Sequence, residues 1–199
     1  MKKGLLIVLG IVLLLGFYGC GKYNGLVTSD EDVKRAWGDV QTQYQRRADL
    51  LPSLIATVKK AAENEKDILT NVTNARAGIP NLEKEAADIK DAASKAQTPA
   101  DLNAVGDRIN TAIKITMEAY PTIRSTEAFL GLQSQLEGTE NRIQTSRSDY
   151  NAAVRNFNVS ARTFPGNIFA GMFGFKAKDE FKATEGSDKA PDVEKLFDK

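Results

Sequence analysis

The segment VKRAWGDVQTQYQRRADLLPSLIATVKKAAENEKDILTNVTNA, residues 33–75, decides the fold of this chain. Alternating steps of four and three residues from its first valine select thirteen positions, and eleven of them are apolar. The thirteen positions are Val33, Trp37, Val40, Tyr44, Arg47, Leu51, Leu54, Val58, Ala61, Glu65, Ile68, Val72 and Ala75. An apolar repeat of this length, with two positions in every seven residues, predicts one long helix with a narrow buried seam.

Local signals set the expected limits of this helix. Ser29 followed by acidic residues has the composition of a helix N-terminus, so we expect the helix to begin near Asp30. Pro52 is expected to bend the helix without ending it, because the apolar pattern keeps its phase on both sides. Gly78 and Pro80 are expected to end it.

Three further helical segments are predicted after this point. Residues 81–96 form a modest amphipathic pattern. Thr98, with Pro99 and Asp101 behind it, is a helix start signal, and Pro121 closes the helix that it opens. The last helix is expected over about residues 126–163, where large side chains recur every seven residues. These are Phe129, Leu136, Ile143, Tyr150 and Phe157, followed by Phe164.

No segment alternates like a strand, so the predicted fold class is all-α. The predicted helices have lengths of about 48, 16, 21 and 38 residues, which match poorly as four equal neighbours. We therefore favour a long antiparallel bundle of three rods in which the two middle segments stack end to end. A four-helix up-and-down bundle is the alternative. The bundle domain is expected over residues 23–181, followed by a charged, disordered tail over residues 182–199.

Residues 1–21 have the layout of an export signal: Lys2 and Lys3 precede an apolar run that extends to Gly19-Cys20-Gly21. Left uncleaved, this segment is long enough to anchor the chain in a membrane as a single pass. The Lys pair would then lie in the cytoplasm and the bulk of the chain outside it. The alternative is a lipoprotein, cleaved before Cys20 and attached to the membrane through lipid on that sulfur.

Composition argues against several classes of function. The chain has 27 Lys and Arg against 26 Asp and Glu, so no net field favours nucleic acid. It has no His, and its one Cys lies in the apolar leader. The commonest general base and zinc ligand, and any thiol nucleophile in the folded domain, are therefore missing. We expect no enzyme activity, no cofactor and no metal.

Two charged residues, Arg47 and Glu65, occupy seam positions that the pattern reserves for apolar side chains. A buried charge is costly unless it is paired, and the two are too far apart along one helix to pair with each other. Glu140 and Arg147 on the last helix are candidate partners. The four residues are expected to form interhelical ion pairs, or to line a polar pocket for a small ligand.

The second candidate surface follows the last helix, where aromatic residues are dense. It comprises Phe164, Ile168, Phe169, Met172, Phe173 and Phe175. These side chains are expected either to cap one end of the bundle or to form an apolar docking surface for lipid or a membrane protein. With an even number of antiparallel rods this run returns to the membrane beside the anchor, and with an odd number it ends far from it.

Many short motifs resemble the pattern of the LemA family in order and spacing. They are Tyr23-Asn24-Gly25-Leu26-Val27, Arg47-Ala48-Asp49-Leu50-Leu51-Pro52-Ser53-Leu54, Glu65, Arg76-Ala77, Glu118-Ala119-Tyr120-Pro121, Phe129-Leu130-Gly131-Leu132-Gln133, Glu140, Arg147, Tyr150-Asn151, Asn158 and Phe164-Pro165-Gly166. The resemblance implies a bacterial, membrane-anchored helical bundle outside the cytoplasm, with no established enzymatic activity. The stretch 81–96 departs from the pattern.

Together these features favour an envelope scaffold or protein-interaction module, held by the membrane through its N-terminus and serving an envelope protein that the sequence does not name. The alternatives are a binding module for a small envelope molecule, or an accessory factor of a membrane protease or remodelling system. The oligomeric state is left open.

Overall fold

The structure is a computed structural model, and it describes residues 2–64, 71–119 and 126–182. Within those ranges the chain is helical apart from short connections and one extended segment near the end, and it contains no strand. The helices are α1 (Lys2–Ala48), α2 (Leu50–Asn64), α3 (Asn71–Lys95), α4 (Pro99–Ala119), α5 (Glu127–Arg162) and α6 (Gly166–Phe173). The all-α fold class is confirmed.

The first helix is longer than the sequence signals predicted. The expected start near Asp30 is wrong, because α1 runs unbroken from Lys2 to Ala48. The Ser29 hydroxyl does not cap a helix end but donates to the carbonyl of Gly25 one turn earlier. No proline separates the apolar leader from the seam, so nothing in that stretch interrupts the helix.

The helix is interrupted just before Pro52, where a bend without an end was expected. α1 ends at Ala48, four residues before the proline, and α2 begins at Leu50. Proline has no N–H to donate to the carbonyl four residues back, which opens the helix there. The buried seam continues in phase across the interruption, from Tyr44 to Leu51 and on to Val58. The seam positions from Ala61 to Ala75 lie outside the described side chains.

The middle of the bundle differs from the favoured prediction. Helix α3 passes through Gly78 and Pro80, so the expected break there is wrong. α3 and α4 lie side by side, joined across their faces by Arg108 and Glu85 at 2.9 Å, and not end to end. The favoured three-rod arrangement is therefore wrong as well.

A three-residue link makes this reversal possible. Thr98 and Asp101 form the capping box that the sequence predicted, with the Asp101 N–H donating to the Thr98 hydroxyl. The Asp101 carboxylate accepts from the backbone N–H groups of Gln97 and Thr98. These bonds lower the pKa of Asp101, the largest contribution coming from the Gln97 N–H. The fixed turn lets α4 pack back along α3.

The helices alternate in direction along the bundle. α3 runs antiparallel to α1 and α2. Gln41 of α1 donates to a carbonyl near the C-terminus of α3, and Lys59 of α2 pairs with Glu83 nearer its start. α5 is also antiparallel to α1, since Trp37 contacts Tyr150, and Arg47 further along α1 pairs with Glu140 nearer the start of α5. These alternating directions are those of the four-helix up-and-down bundle, which was the alternative prediction. The C-terminal end of α5 therefore returns to the N-terminal end of the bundle, which we call the base.

Candidate functional site at the base of the bundle

The polar seam brings together two of the four charged residues singled out in the sequence. Arg47 donates to Glu140 across α1 and α5, and its second terminal nitrogen donates to Asn110 on α4 at 2.9 Å. The Arg47 side chain is 11% exposed, whereas that of Glu140 is 39% exposed. The pair therefore lies at the edge of the core, with the arginine inside and the carboxylate facing water.

Arg147, the third of these residues, lies near the pair and makes further contacts. The Arg147 guanidinium lies over the ring of Phe181, 4.6 Å from its centroid, and interacts with the buried Tyr44 hydroxyl. Burial raises the pKa of Tyr44 above its ordinary value, more than the neighbouring arginines lower it. Glu65 lies outside the described residues. The three described residues, Arg47, Glu140 and Arg147, therefore all lie near the Tyr44 hydroxyl.

The described residues form no cluster of side chains that could bind a metal ion. Across residues 2–64, 71–119 and 126–182, no group of three or more Cys, Asp or Glu is placed to hold a metal ion. The free thiol of Cys20 is exposed on α1.

An extended segment after α6, residues 174–182, lies along α5; we call it the strap. Gly174 ends α6 in the left-handed conformation, with φ 77°, which turns the chain back along the bundle. Asn158 then accepts from the Lys178 N–H and donates to the Lys178 carbonyl, and Asn151 makes the same two bonds with Phe181. Seven helical residues rise about 10.5 Å and three extended residues span about 10 Å, so the two spacings match.

Side chains of the strap contact both α1 and α5. Phe181 is buried and lies between Trp37 and Tyr150, with ring centroids 6.1 and 5.3 Å away. Lys178 reaches Asp30 on α1 at 2.7 Å. Burial alone would raise the pKa of Asp30, but hydrogen bonds from Lys178 and Lys34 lower it overall. The strap therefore fastens α1 to α5 just above the base.

The strap gives a test of this local structure. Replacing Asn158 with alanine removes two hydrogen bonds to the strap backbone, and we expect trypsin to cleave after Lys178 about tenfold faster. Asn156→Ala is the matched control, since Asn156 is exposed on the same helix. Limited proteolysis of the folded full chain measures both variants. Equal cleavage of the two would show that the amide side chain does not hold the strap.

The aromatic run that forms the second candidate surface is divided by α6 into two faces. Gly166 and Ala170 are buried against the bundle, and the rings of Phe169 and Phe175 are half-buried beside them. The opposite face carries Ile168, 52% exposed, and Met172, 69% exposed, four residues apart. Phe164, 81% exposed, lies just before the helix, and Phe173 is 52% exposed at its end. The run both closes the base and leaves an apolar surface open.

This helix lies beside the N-terminal part of α1. A Cβ added at Gly19 would lie 3.1 Å from the Phe169 ring, and the rings of Tyr23 and Phe173 are 4.6 Å apart. On α1 itself Phe17 is 85% exposed and Tyr18 51% exposed. Lys22 lies over the Tyr18 ring, 5.6 Å from its centroid. Apolar side chains of both helices are thus exposed at one level of the bundle.

Several functional residues of this region carry only a weak signal in the sequence. Asn151 and Asn158 were singled out only through a family resemblance, although each follows a large buried residue of the seven-residue series, Tyr150 or Phe157. Polar amides next to the seam, seven residues apart, were the signal for an extended partner on α5. For Lys178 no sequence signal was available, because the short alternation of residues 175–182 does not show which part of the bundle the segment would meet.

The predicted membrane anchor stays a prediction. Within the described parts of the chain, no helix is long and apolar enough to cross a membrane. The side chains of residues 2–8, 11, 12, 14 and 15 in the apolar leader lie outside that description, as does the structure of the tail from residue 183 onward.

The chain is similar to one protein family and to several individual proteins. A family model described as the LemA family matches residues 36–194. Magnetosome protein MamQ 1 of Paramagnetospirillum magneticum is 27% identical over 191 residues, covering 88% of this chain and 70% of the relative. Magnetosome protein MamQ of Magnetospirillum gryphiswaldense is 26% identical over 184 residues, covering 84% and 67%. Protein LemA of Metamycoplasma hominis is 22% identical over 181 residues, covering 89% and 78%.

Proposed function

The chain belongs to the LemA family, and on that premise we propose that it is a membrane-attached scaffold of the cell envelope. In this proposal the apolar N-terminal segment, or lipid on Cys20, holds the base of the bundle at the outer face of the membrane. The far end of the bundle then meets a partner protein. The chain itself catalyses no reaction.

The observation that carries the proposal is the continuity of α1. The same helix contains the apolar leader and the first part of the buried seam, without a linker between them. Its 47 residues correspond to about 70 Å of helix. A flexible tether would let a bundle tumble at the surface, whereas a continuous helix transmits the orientation of the attached segment to the bundle. Such rigidity suits a protein whose task is to hold something at a fixed distance and angle.

The far end of the bundle offers a place for a partner. Ile115 on α4 and Leu130 on α5 are half exposed there, on a surface of mixed charge. The names of the relatives point in the same direction, because the MamQ proteins are named for a compartment, the magnetosome, and not for a reaction. A scaffold needs no nucleophile and no tuned base, which agrees with the composition of the chain.

A small-molecule binding module is the weaker alternative. It was expected to use a pocket shared by Arg47, Glu65, Glu140 and Arg147. Arg47 and Glu140 pair with each other, although the buried Nε of Arg47 has no hydrogen-bond partner among the described residues, and Arg147 is engaged by Phe181 and Tyr44. Charges that are already paired are poorly placed to recognise a ligand, since the ligand would have to replace existing bonds. The supporting roles in proteolysis or membrane remodelling gain no separate support from the geometry.

Rigid presentation is tested by interrupting α1 between the apolar leader and the seam. Both insertions used shift Gly19 and Tyr23 relative to the rest of the bundle, so the two variants differ in stiffness and not in the contacts of α6 that they disturb. A photo-crosslinking residue at Leu130 in the full chain, in intact cells, is expected to yield a specific adduct. A flexible seven-residue Gly-Ser insertion after Gly25 should reduce that adduct about fivefold, because the bundle loses its fixed position. A helical seven-residue insertion at the same place is the control, since seven residues are nearly two turns and keep the facing of the bundle. Equal yields from both insertions would contradict a rigid scaffold.

A further inference from the structure

The base of the bundle carries an apolar stretch that the scaffold role does not use. Residues 163–175 contain no charged side chain, and they are bounded by Arg162 on one side and Lys176 on the other. A run of thirteen uncharged residues at the surface of a soluble bundle is unusual unless something covers it. Basic residues at both ends of such a run are typical of segments that meet a membrane surface, where they contact lipid phosphates.

Within this stretch the structure separates a packed face from an open one. Gly166 and Ala170 are buried on the bundle side, so α6 is held in place by close packing. Ile168 and Met172 point the opposite way, and Phe164 lies exposed before the helix. The exposed side chains therefore cannot turn inward without undocking the helix. This is the arrangement of an amphipathic helix whose apolar face needs an apolar neighbour outside the protein.

The position of α6 along α1 identifies that neighbour. The contacts of Phe169 with Gly19 and of Phe173 with Tyr23 place α6 where the apolar leader meets the first lysine after it, Lys22. Both proposed modes of attachment put lipid at this level. An uncleaved leader would leave the membrane here, and an acyl group on the exposed Cys20 would enter it here. A protein partner would have to fit between α6 and the lipid surface, which leaves it little room.

We propose that the open face of α6, with Phe164, inserts among the acyl chains of the outer leaflet and forms a second membrane contact beside α1. The inference rests on the proposed membrane attachment and deepens it. Lys22, Arg162 and Lys176 then lie among the lipid headgroups, and in the uncleaved chain Phe17 and Tyr18 extend the same apolar surface on α1. Two contacts fix the tilt and rotation of the bundle, which one helix crossing the membrane surface does not do.

Single tryptophans test the contact in the full chain. Trp37 is the only tryptophan, so W37F provides a background in which F164W and M172W each report one site. The unprocessed chain, made by cell-free synthesis, is reconstituted into vesicles of phosphatidylethanolamine and phosphatidylglycerol with brominated or unbrominated acyl chains. F17W is the reference for the attached segment. L130W is the control, since Leu130 is also an exposed apolar side chain, at 55%, but lies at the far end of the bundle.

Brominated lipid is expected to reduce the emission of F164W and M172W about twofold, as for F17W, and to leave L130W within about 10%. Quenching of F17W without quenching of F164W and M172W would overturn the second contact and leave the proposed attachment standing. A blue-shifted but unquenched F164W would mean that protein, such as a second copy of the chain, covers the face, and would also overturn it. An unquenched F17W would overturn the proposed attachment itself, whatever the other two variants show.

Discussion

Replacing Glu140 with leucine is expected to lower the free energy of unfolding by about 2–4 kcal/mol. The cause lies on the other side of the pair. Arg47 is 11% exposed, and without Glu140 its guanidinium keeps Asn110 as a neutral partner. A largely buried cation that loses its anion costs more than the ion pair contributed, because the Arg47 charge is only partly solvated and cannot be removed by deprotonation. Urea unfolding of the full chain in mild detergent, followed by circular dichroism, measures the change.

The opposite substitution is expected to be milder, and this asymmetry is the sharper part of the prediction. Arg47→Met leaves Glu140 alone, but that carboxylate is 39% exposed and can turn to solvent, so the loss should be about 1 kcal/mol. The double variant, R47M with E140L, should recover most of the stability. Glu83→Leu is the matched control, since its partner Lys59 and Glu83 itself are both about half exposed. A loss for Glu140→Leu no larger than for Glu83→Leu would contradict a buried arginine.

How far the sequence predicts this fold depends on whether each element is specified by local pattern. The seven-residue seam needs only side-chain periodicity, and Val33, Val40 and Leu54 are buried as the pattern requires. The interruption just before Pro52 follows from one missing N–H. The capping box at Thr98 is equally local, and it is present. Features whose physics is contained within one or two turns of helix were therefore predictable.

The wrong predictions arose where a local signal had competitors elsewhere in the chain. Ser29 and Asp30 look like a helix start, but in the structure Asp30 pairs with Lys34 and with the distant Lys178. The helix does not begin at Asp30, because the residues before Asp30 are also compatible with a helix. The end-to-end stacking of the middle segments failed for a related reason. It relied on matching lengths, whereas the short capped turn at Thr98 determines the direction of α4.

The candidate site was predictable in composition but not in arrangement. The density of Phe between residues 164 and 175 indicated an apolar surface, and parity indicated that it would lie at the base if the rods were even in number. Which side chains would pack and which would stay open could not be read, because α6 is too short for a clear period. The strap was harder still, since its hold on α5 depends on the amides of Asn151 and Asn158 meeting backbone groups far along the chain.

Gly166→Ala is expected to lower the free energy of unfolding by about 2–3 kcal/mol and to free α6 from the base. A Cβ at this position would lie 2.0 Å from the carbonyl oxygen of Ser160, which is backbone and cannot rotate away. Either α6 shifts or α5 opens at its end, and both movements separate the packed face of α6 from α1. Unfolding measurements give the stability, and hydrogen exchange of residues 166–173 shows whether α6 is the part that loosens.

Gly171→Ala, the same substitution five residues later, should change the free energy of unfolding in the opposite direction. Each variant is therefore a control for the other. A Cβ at Gly171 meets nothing within 4 Å, and alanine favours a helix over glycine by up to about 1 kcal/mol. Gly171→Ala should therefore leave α6 docked and slightly stabilise it. In the membrane-bound chain, G166A should also weaken the bromolipid quenching of M172W, while G171A preserves it, because the open face is positioned only while the closed face is packed. Equal effects of the two variants on stability and on quenching would mean that close packing at Gly166 does not position α6.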